Sequence, residues 1–327
     1  MNKRISAGSS SRPATLPVII LSGLFAFSVQ DISGLASDAV PKKGWDLLPE
    51  ILDRIVPPEF PDRDFLVTDF GASSDGLTDC HKAFQMAIAA CTQAGGGRVV
   101  IPQGTFVCNG PIHLDNNVNL HVTKDARILF SPKYGDYLPQ VKVRWEGTEC
   151  YNYSPFIYAY RKTNVAVTGT GTFHAQAGLS WALWPGKFRP RTKMSTGELR
   201  QMNHDDVPAE QIRILAKPTF FEPFECQNVL IEGVTIEDYP FWCIHPTFCT
   251  NVTIRNLVVL SHNSNNDGID PDSCTDVLIE DCYLDQSGDS LAIKSGRDNS
   301  GRRAARPCQN IVVRNMPDNF EGIAIGS

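Results

Sequence analysis

The chain has ten cysteines but no CxxC pair, no run of basic residues, and no apolar stretch long enough to cross a bilayer. Each absence excludes a class. Zinc frameworks place paired ligands two to four residues apart, and the cysteines at 80, 91, 108, 150, 226, 243, 249, 274, 282 and 308 do not. A net charge of −6 without a basic stripe leaves nothing to hold nucleic-acid phosphates. A membrane-spanning helix takes about 20 apolar residues. The longest apolar run, Leu16–Val29, has 14 and is interrupted by Pro17. Asn-Gly turns that close tight hairpins are also few, which counts against a β-sandwich.

That short apolar run has a meaning of its own. Lys3, Arg4 and Arg12 precede it, and small residues end at Ser37–Ala39. A basic start, a short apolar middle and a small-residue site are the pattern of an export signal, here residues 1–39. The rival reading is an uncleaved anchor facing lipid. The expectation is a secreted or periplasmic mature chain, monomeric and free of the membrane once cleaved, in which disulfides are permitted. Residues 40–63 read as a linker, and "VPPEFPDRD" (Val56–Asp64) as its end or a first turn into the domain. Residues 64–327 read as one large domain.

Within that domain, Ala83, Phe84, Ala87, Ile88 and Cys91 share one helical face, with Thr78 as the expected N-cap and Gly95–Gly97 as the stop. The glycine triplet follows a helix and precedes the strand "RVVIP", the wrong order for a phosphate loop. From there the chain is strand upon strand. A unit recurs: Asn or Asp, then alternating β-branched residues, then a polar turn. It begins at Asn164, Asn228, Asn251, Asp276 and Asn310, and the last four are spaced by 23, 25 and 34 residues. One short strand pair per unit at such a period is the mark of a solenoid. The fold expected is all-β: a single-stranded parallel β-helix, with its open N-terminal end capped by the helix near residue 80. The leading asparagines are placed to stack from coil to coil.

In a β-helix, equivalent positions on neighbouring coils form columns. Asp267, in "NNDGIDPD", and Asp289, in "DQSGDS", each follow a strand and fall about one coil apart. Two carboxylates flanking a glycosidic bond are what its hydrolysis requires. Asp270 and Asp272 lack the spacing of a calcium loop, so no metal is called for, and no cofactor. Lys294 reads equally as a substrate-carboxylate contact or a solvated edge lysine. Arg297, Arg302 and Arg303 would give a cationic rim. His262, Trp242 and His245 read as structural.

Five motifs, "DFGASSDGLTD", "AIAACTQAGGGRVVIPQGTF", "RWEGTECYNYSPFIYAY", "SNNDGIDPDSCTDVLIEDCYLDQSGDSLAIKSGRDNSGRR" and "GIAIGS", together resemble the polygalacturonase-type glycoside hydrolases of family 28. The resemblance runs from about Asp64 to Ser327. It implies a right-handed parallel β-helix that hydrolyses galacturonan-type pectin, an acidic cell-wall polysaccharide, with inversion. The family's Asn-x-Asp motif falls on Asn265, Asn266 and Asp267, so Asp267 takes the role of a water-positioning base. Its Gly-Asp-Asp motif falls on Ser287, Gly288 and Asp289. Asp289 matches the second aspartate, while the first, the general acid, falls on Gly288. The family's Gly-His-Gly falls on Asn319, Phe320 and Glu321, so its histidine is a phenylalanine. Its Arg-x-Lys would lie beyond Ser327, and the domain is expected to be incomplete at its C-terminal side. His174 replaces an aspartate of a further motif, in "GTGTFHA". Asp285 and Glu321 are the carboxyls nearest in sequence that can substitute for the missing acid. Asn265, Lys294 and Arg297 are the expected substrate contacts. The alternative is a degenerate chain that binds polysaccharide without turnover, or a fragment.

Overall fold

The computed structural model describes residues 43–179, 196–318 and 320–326. The export signal expected at residues 1–39 lies outside the described residues. From Asp64 onward the backbone coils as a parallel β-helix with three sheets. The first sheet stacks eight strands, ending with Thr163–Gly169, Gln227–Glu232, Thr250–Arg255, Thr275–Glu280 and Gln309–Arg314. The second stacks seven, ending with Val258–Ser261 and Tyr283–Gln286. The third is interrupted. Ile157–Tyr160 pairs with Phe221–Phe224, and single bridges Phe221↔Ile244, Ile244↔Ile269 and Ile269↔Leu291 carry the column onward. Leu291–Ile293 then pairs with Ile323–Ile325.

The expected repeat unit is the first-sheet strand. Val165, Val229, Val252 and Val277 are in register and wholly buried, because alternate residues of each strand face the core. Phe130, Phe156, Phe173 and Phe220 fill the interior, with Phe156 and Phe220 stacked at 5.6 Å. The leading asparagines are the second residue of each strand, all at φ between 55° and 57°. Their amides form a ladder. Asn164 Nδ2 donates to Asn117 Oδ1, Asn228 to Asn164 and Asn251 to Asn228, each at 2.8 Å. Asn tolerates this left-handed geometry, and its side chain satisfies the next coil. At Asp276 the ladder breaks, since a carboxylate has no proton to pass on to Asn251.

Residues 40–63, expected as a linker, contain helix α1 (Leu48–Arg54), which packs on the outer face of this sheet. Leu48, Ile51, Leu52 and Ile55 meet Leu278 and Val312. Arg54 pairs with Asp276 at 3.0 Å, and Val56 exchanges both backbone hydrogen bonds with the Asn251 amide. The apolar spacing of "LPEIL" wins over the proline-rich composition around it.

Helix α2 (His81–Gln93) caps the N-terminal coils, and its buried residues are the five expected: Ala83, Phe84, Ala87, Ile88 and Cys91. Its N-cap is Cys80 rather than Thr78. The Asp75 carboxylate takes both the Thr78 amide and hydroxyl, at 2.8 and 2.6 Å, so Thr78 is held in the preceding turn. Gly95–Gly97 ends the helix at positive φ, and a β-carbon on Gly96 would lie 2.5 Å from Asn117. All ten cysteines are free thiols, nine of them buried.

A hairpin departs from the helical path. Val141–Trp145 and Thr148–Asn152 form an antiparallel hairpin, with Glu146 and Gly147 both at positive φ in its two-residue turn. Arg144, with no exposed surface, anchors this hairpin against the third sheet, and its tip reaches the site described next.

Candidate active site

The site lies where the turns after the second sheet enter the third. Asn266 ties the first turn to the coil below, since its Nδ2 donates to the carbonyls of Tyr239 and Phe241, both at 3.0 Å. That bond fixes the neighbours on either side of it. Asp267 turns inward and is 6% exposed. Asn265 stays on the rim at φ 57°, where its Nδ2 donates to Glu146 Oε1 at 3.3 Å. One coil on, the turn of Ser287, Gly288 and Asp289 lies beside it. The Asp289 amide donates to Asp267 Oδ1 at 3.3 Å, and the Asp289 side chain is exposed.

Lys294 is neither solvated nor at an edge. It is 3% exposed, with Nζ 3.4 Å from Asp267 Oδ2, 3.7 Å from Asp270 Oδ2 and 4.2 Å from the centroid of the Trp242 ring. Asp270 is wholly buried, and burial raises its carboxyl well above the usual carboxylate range, Lys294 opposing. Burial also raises Asp267, again opposed by Lys294.

Asn265, Asp267, Gly288, Asp289 and Lys294, together with Glu146, Arg200, Trp242, Ser287 and Arg297, line a cavity of about 470 Å³. Arg200 comes from helix α3 (Thr196–His204) and pairs with Glu146 at 3.2 Å. Arg297 Nη1 stands 4.0 Å from the same carboxylate. Trp242 stacks on Phe241, which stacks on Trp145 of the hairpin at 5.2 Å. A larger cavity of about 580 Å³, at Glu149, Glu225 and Arg306, holds none of the expected site residues. Its two acids are already paired with Lys142 and Arg161.

The structure thus gathers Asn265, Asp267, Asp289, Lys294 and Arg297 in one cavity. Asp285 and Glu321, the expected substitute acids, do not line it. The pleat leaves Asp285 on the second sheet, 46% exposed and 3.3 Å from His262, before the chain turns the corner. Glu321 is exposed ahead of the strand Ile323–Ile325, and Phe320 packs against the core. Asn319 lies outside the described residues. Arg302 bonds Asn299 and Arg303 pairs with Asp206, both on or beside helix α4 (Asp298–Ala304), so of these three arginines Arg297 alone lines the cavity. His245 is structural as expected. It is buried between the carbonyls of Asp270 and Arg144, and burial lowers it to about 4. Asp272 accepts from Arg144.

Glu146, Arg200 and the lining role of Trp242 are absent from the sequence reading. The signal for the first was present: two alternating stretches, "VKVRW" and "TECYN", joined by two residues including a glycine.

A model of glycosyl hydrolases family 28 matches residues 91–327. A probable polygalacturonase of Vitis vinifera is 29% identical over 76% of this chain and 48% of its own length. A second, from Arabidopsis thaliana, is 28% identical over 71% and 43%. The chain spans about half the length of these curated relatives. The crystal structure of a hyperthermoactive exopolygalacturonase from Thermotoga maritima superposes with a TM-score of 0.80 at 42% identity, covering 86% of this chain and 66% of that one. The family match spans every lining residue of the cavity, and the solved relative shares its coiled fold: the chain belongs to glycosyl hydrolases family 28.

Proposed function

We propose that this protein hydrolyses galacturonan-type pectin by an inverting mechanism. The observation that carries the reading is the meeting of Asp267 and Asp289 in one cavity beside Lys294 and Arg297. Inversion needs one carboxyl to protonate the leaving oxygen and another to activate water on the opposite face. Asp267 and Asp289 are the two candidates, and they come from successive coils. A uronic acid brings a carboxylate to each sugar. Arg297 on the rim and Lys294 in the wall offer it cationic partners, and Asn265 offers an amide. The relatives named polygalacturonases agree with that substrate class.

The test is release of reducing ends from polygalacturonate by the purified chain. Release by the wild type, abolished in Asp267→Ala and in Asp289→Ala, supports the reading. Binding of polygalacturonate without release, in wild type and Gly288→Asp alike, sinks it.

A second reading has its own support. Gly288 and Phe320 stand where the family pattern has the acid and its histidine, which suits a chain that binds polysaccharide without cleaving it. The same assay separates the two. The basic and apolar N-terminal residues also support export to the periplasm or medium. A mature N-terminus near residue 40 in the exported product would bear this out, and retention of residues 1–39 would refute it. Among the described residues, no helix is long and apolar enough to cross a membrane.

A further inference from the structure

Glycine at position 288 leaves the proton donor unassigned, and the space around it is occupied by another carboxylate. A β-carbon on Gly288 would lie 2.4 Å from Asp267 Oδ1 and 2.8 Å from both the Asp267 amide nitrogen and the Asn266 carbonyl carbon. The Asp267 carboxylate therefore occupies the space in which a side chain at 288 would begin.

Behind Asp267 lies Asp270. Both of its oxygens are buried, and neither receives a hydrogen bond from a nitrogen or hydroxyl donor. Its neighbours are the Asp267 carboxyl and Lys294. One ammonium thus faces two carboxyls in a space closed by Trp242. A single cation compensates a single carboxylate, and a second buried negative charge would stand unbalanced. The pair therefore keeps one proton between its members, as coupled carboxyls do. Among the described residues, nothing else nearby supplies the missing charge. Burial keeps the Tyr239 hydroxyl and Cys243 thiol neutral, and His245 is neutral. Arg200 and Arg297 are engaged by Glu146. Of the two carboxyls, only Asp267 opens on the cavity, while Asp289 is exposed on the next turn.

We propose that the Asp267–Asp270 pair delivers the proton that residue 288 does not, with Asp267 as the acid, Asp270 as the positioning residue behind it, and Asp289 as the base. This rests on the hydrolase reading above and reverses the part that the family resemblance gives Asp267. In the step, the Asp270 O–H bond breaks as its proton passes to Asp267, and Asp267 in turn gives a proton to the glycosidic oxygen. The bond from that oxygen to the anomeric carbon breaks, its electron pair staying with the oxygen. Water bonds to the anomeric carbon from the opposite face and gives its proton to Asp289. Solvent then carries a proton from Asp289 back to the pair, so no other reactant is needed.

The test compares two substrates of the full chain: oligogalacturonan, whose leaving oxygen needs a proton, and an oligogalacturonosyl fluoride, whose leaving group does not. Asp267→Asn should lose about 10²–10⁴-fold in kcat/KM on the oligosaccharide and keep fluoride release within about tenfold. Asp289→Asn should lose both. Asp270→Asn should leave KM unchanged, lower kcat and move the basic limb of the pH profile to lower pH, because its amide stabilises ionised Asp267 without storing a proton. The unmodified protein should show that basic limb on the oligosaccharide and not on the fluoride, a measurement that needs no variant to fold. Equal loss of both reactions in Asp267→Asn, or a basic limb retained on the fluoride, overturns the assignment and leaves the hydrolase reading intact. A wild type that releases neither reducing ends nor fluoride overturns both.

Discussion

Arg144 Nη1 donates to Asp272 Oδ1 at 2.9 Å across 128 residues of chain, and neither side chain is exposed to solvent. The pair fastens the inserted hairpin to the third sheet. The guanidinium also bonds Ser273 and lies 4.6 Å over the Phe248 ring. Removing one partner strands the other charge in the interior. Arg144→Ala should cost about 3–5 kcal/mol in urea unfolding. It should also impair hydrolysis, because Glu146 leaves the cavity with the hairpin. A change under about 1 kcal/mol would show that water replaces the pair at no cost.

Glu222 sets a pH dependence. It is fully buried, and burial pushes it up to about 8. Between its ordinary value and 8, the unfolded chain has released a proton that the folded chain keeps. Stability therefore falls as pH rises through that window and levels off above it. The full effect is on the order of 5 kcal/mol. Thermal midpoints of the wild type should decline from pH 5 to pH 8, and Glu222→Gln should remove most of the slope. Equal slopes in the two proteins would refute this.

Gly288→Ala tests the crowding at the turn. Where the backbone tolerates it, alanine for glycine usually stabilises by about 0.4–1 kcal/mol. Here the new β-carbon meets the Asp267 carboxylate and two backbone atoms, so the change should instead destabilise by about 1–3 kcal/mol. Gly288→Asp should behave alike and give no rate above the wild type. A raised urea midpoint in Gly288→Ala would show that the turn relaxes freely.

The amide ladder offers an inverted substitution order. Asn228, at φ 56°, donates to Asn164 and accepts from Asn251. Alanine and glycine both lose these bonds, but only alanine adds the left-handed strain of about 1–2 kcal/mol. Asn228→Ala should therefore unfold at lower urea than Asn228→Gly, against the usual penalty for glycine within a strand. Equal midpoints would mean that the coil shifts its backbone instead.

The contrast between what the sequence disclosed and what it hid has a physical basis. Ala83, Phe84, Ala87, Ile88 and Cys91 were legible because one helical face is a local pattern. The Asn-led strands were legible because each coil repeats the same need. Thr78 misled because a competitor, Asp75, sits three residues away and captures it. At the site, the motifs carried Asn265, Asp267, Asp289, Lys294 and Arg297. Glu146 and Arg200 come from a hairpin and a helix far along the chain: the alternating stretches announce the hairpin, but no spacing announces that either residue reaches the site. Asp285 was nearest in sequence to the missing acid, yet the corner between two sheets separates them.

In a stack of coils, each coil touches only its neighbours, so melting at one end spreads without hindrance from the other. The strap that ends at Val56 breaks this rule. Arg54 and Val56 reach contacts 222 and 195 residues onward, at Asp276 and Asn251, and meet them where the ladder has its gap. The substitution of one asparagine by Asp276 thus does two things at once: it severs a column of amides and creates a lock for the start of the chain. A clasp of this kind makes distant coils share one fate. It also comes late in folding, because Asn251 and Asp276 must already be stacked before the strap has anything to close upon.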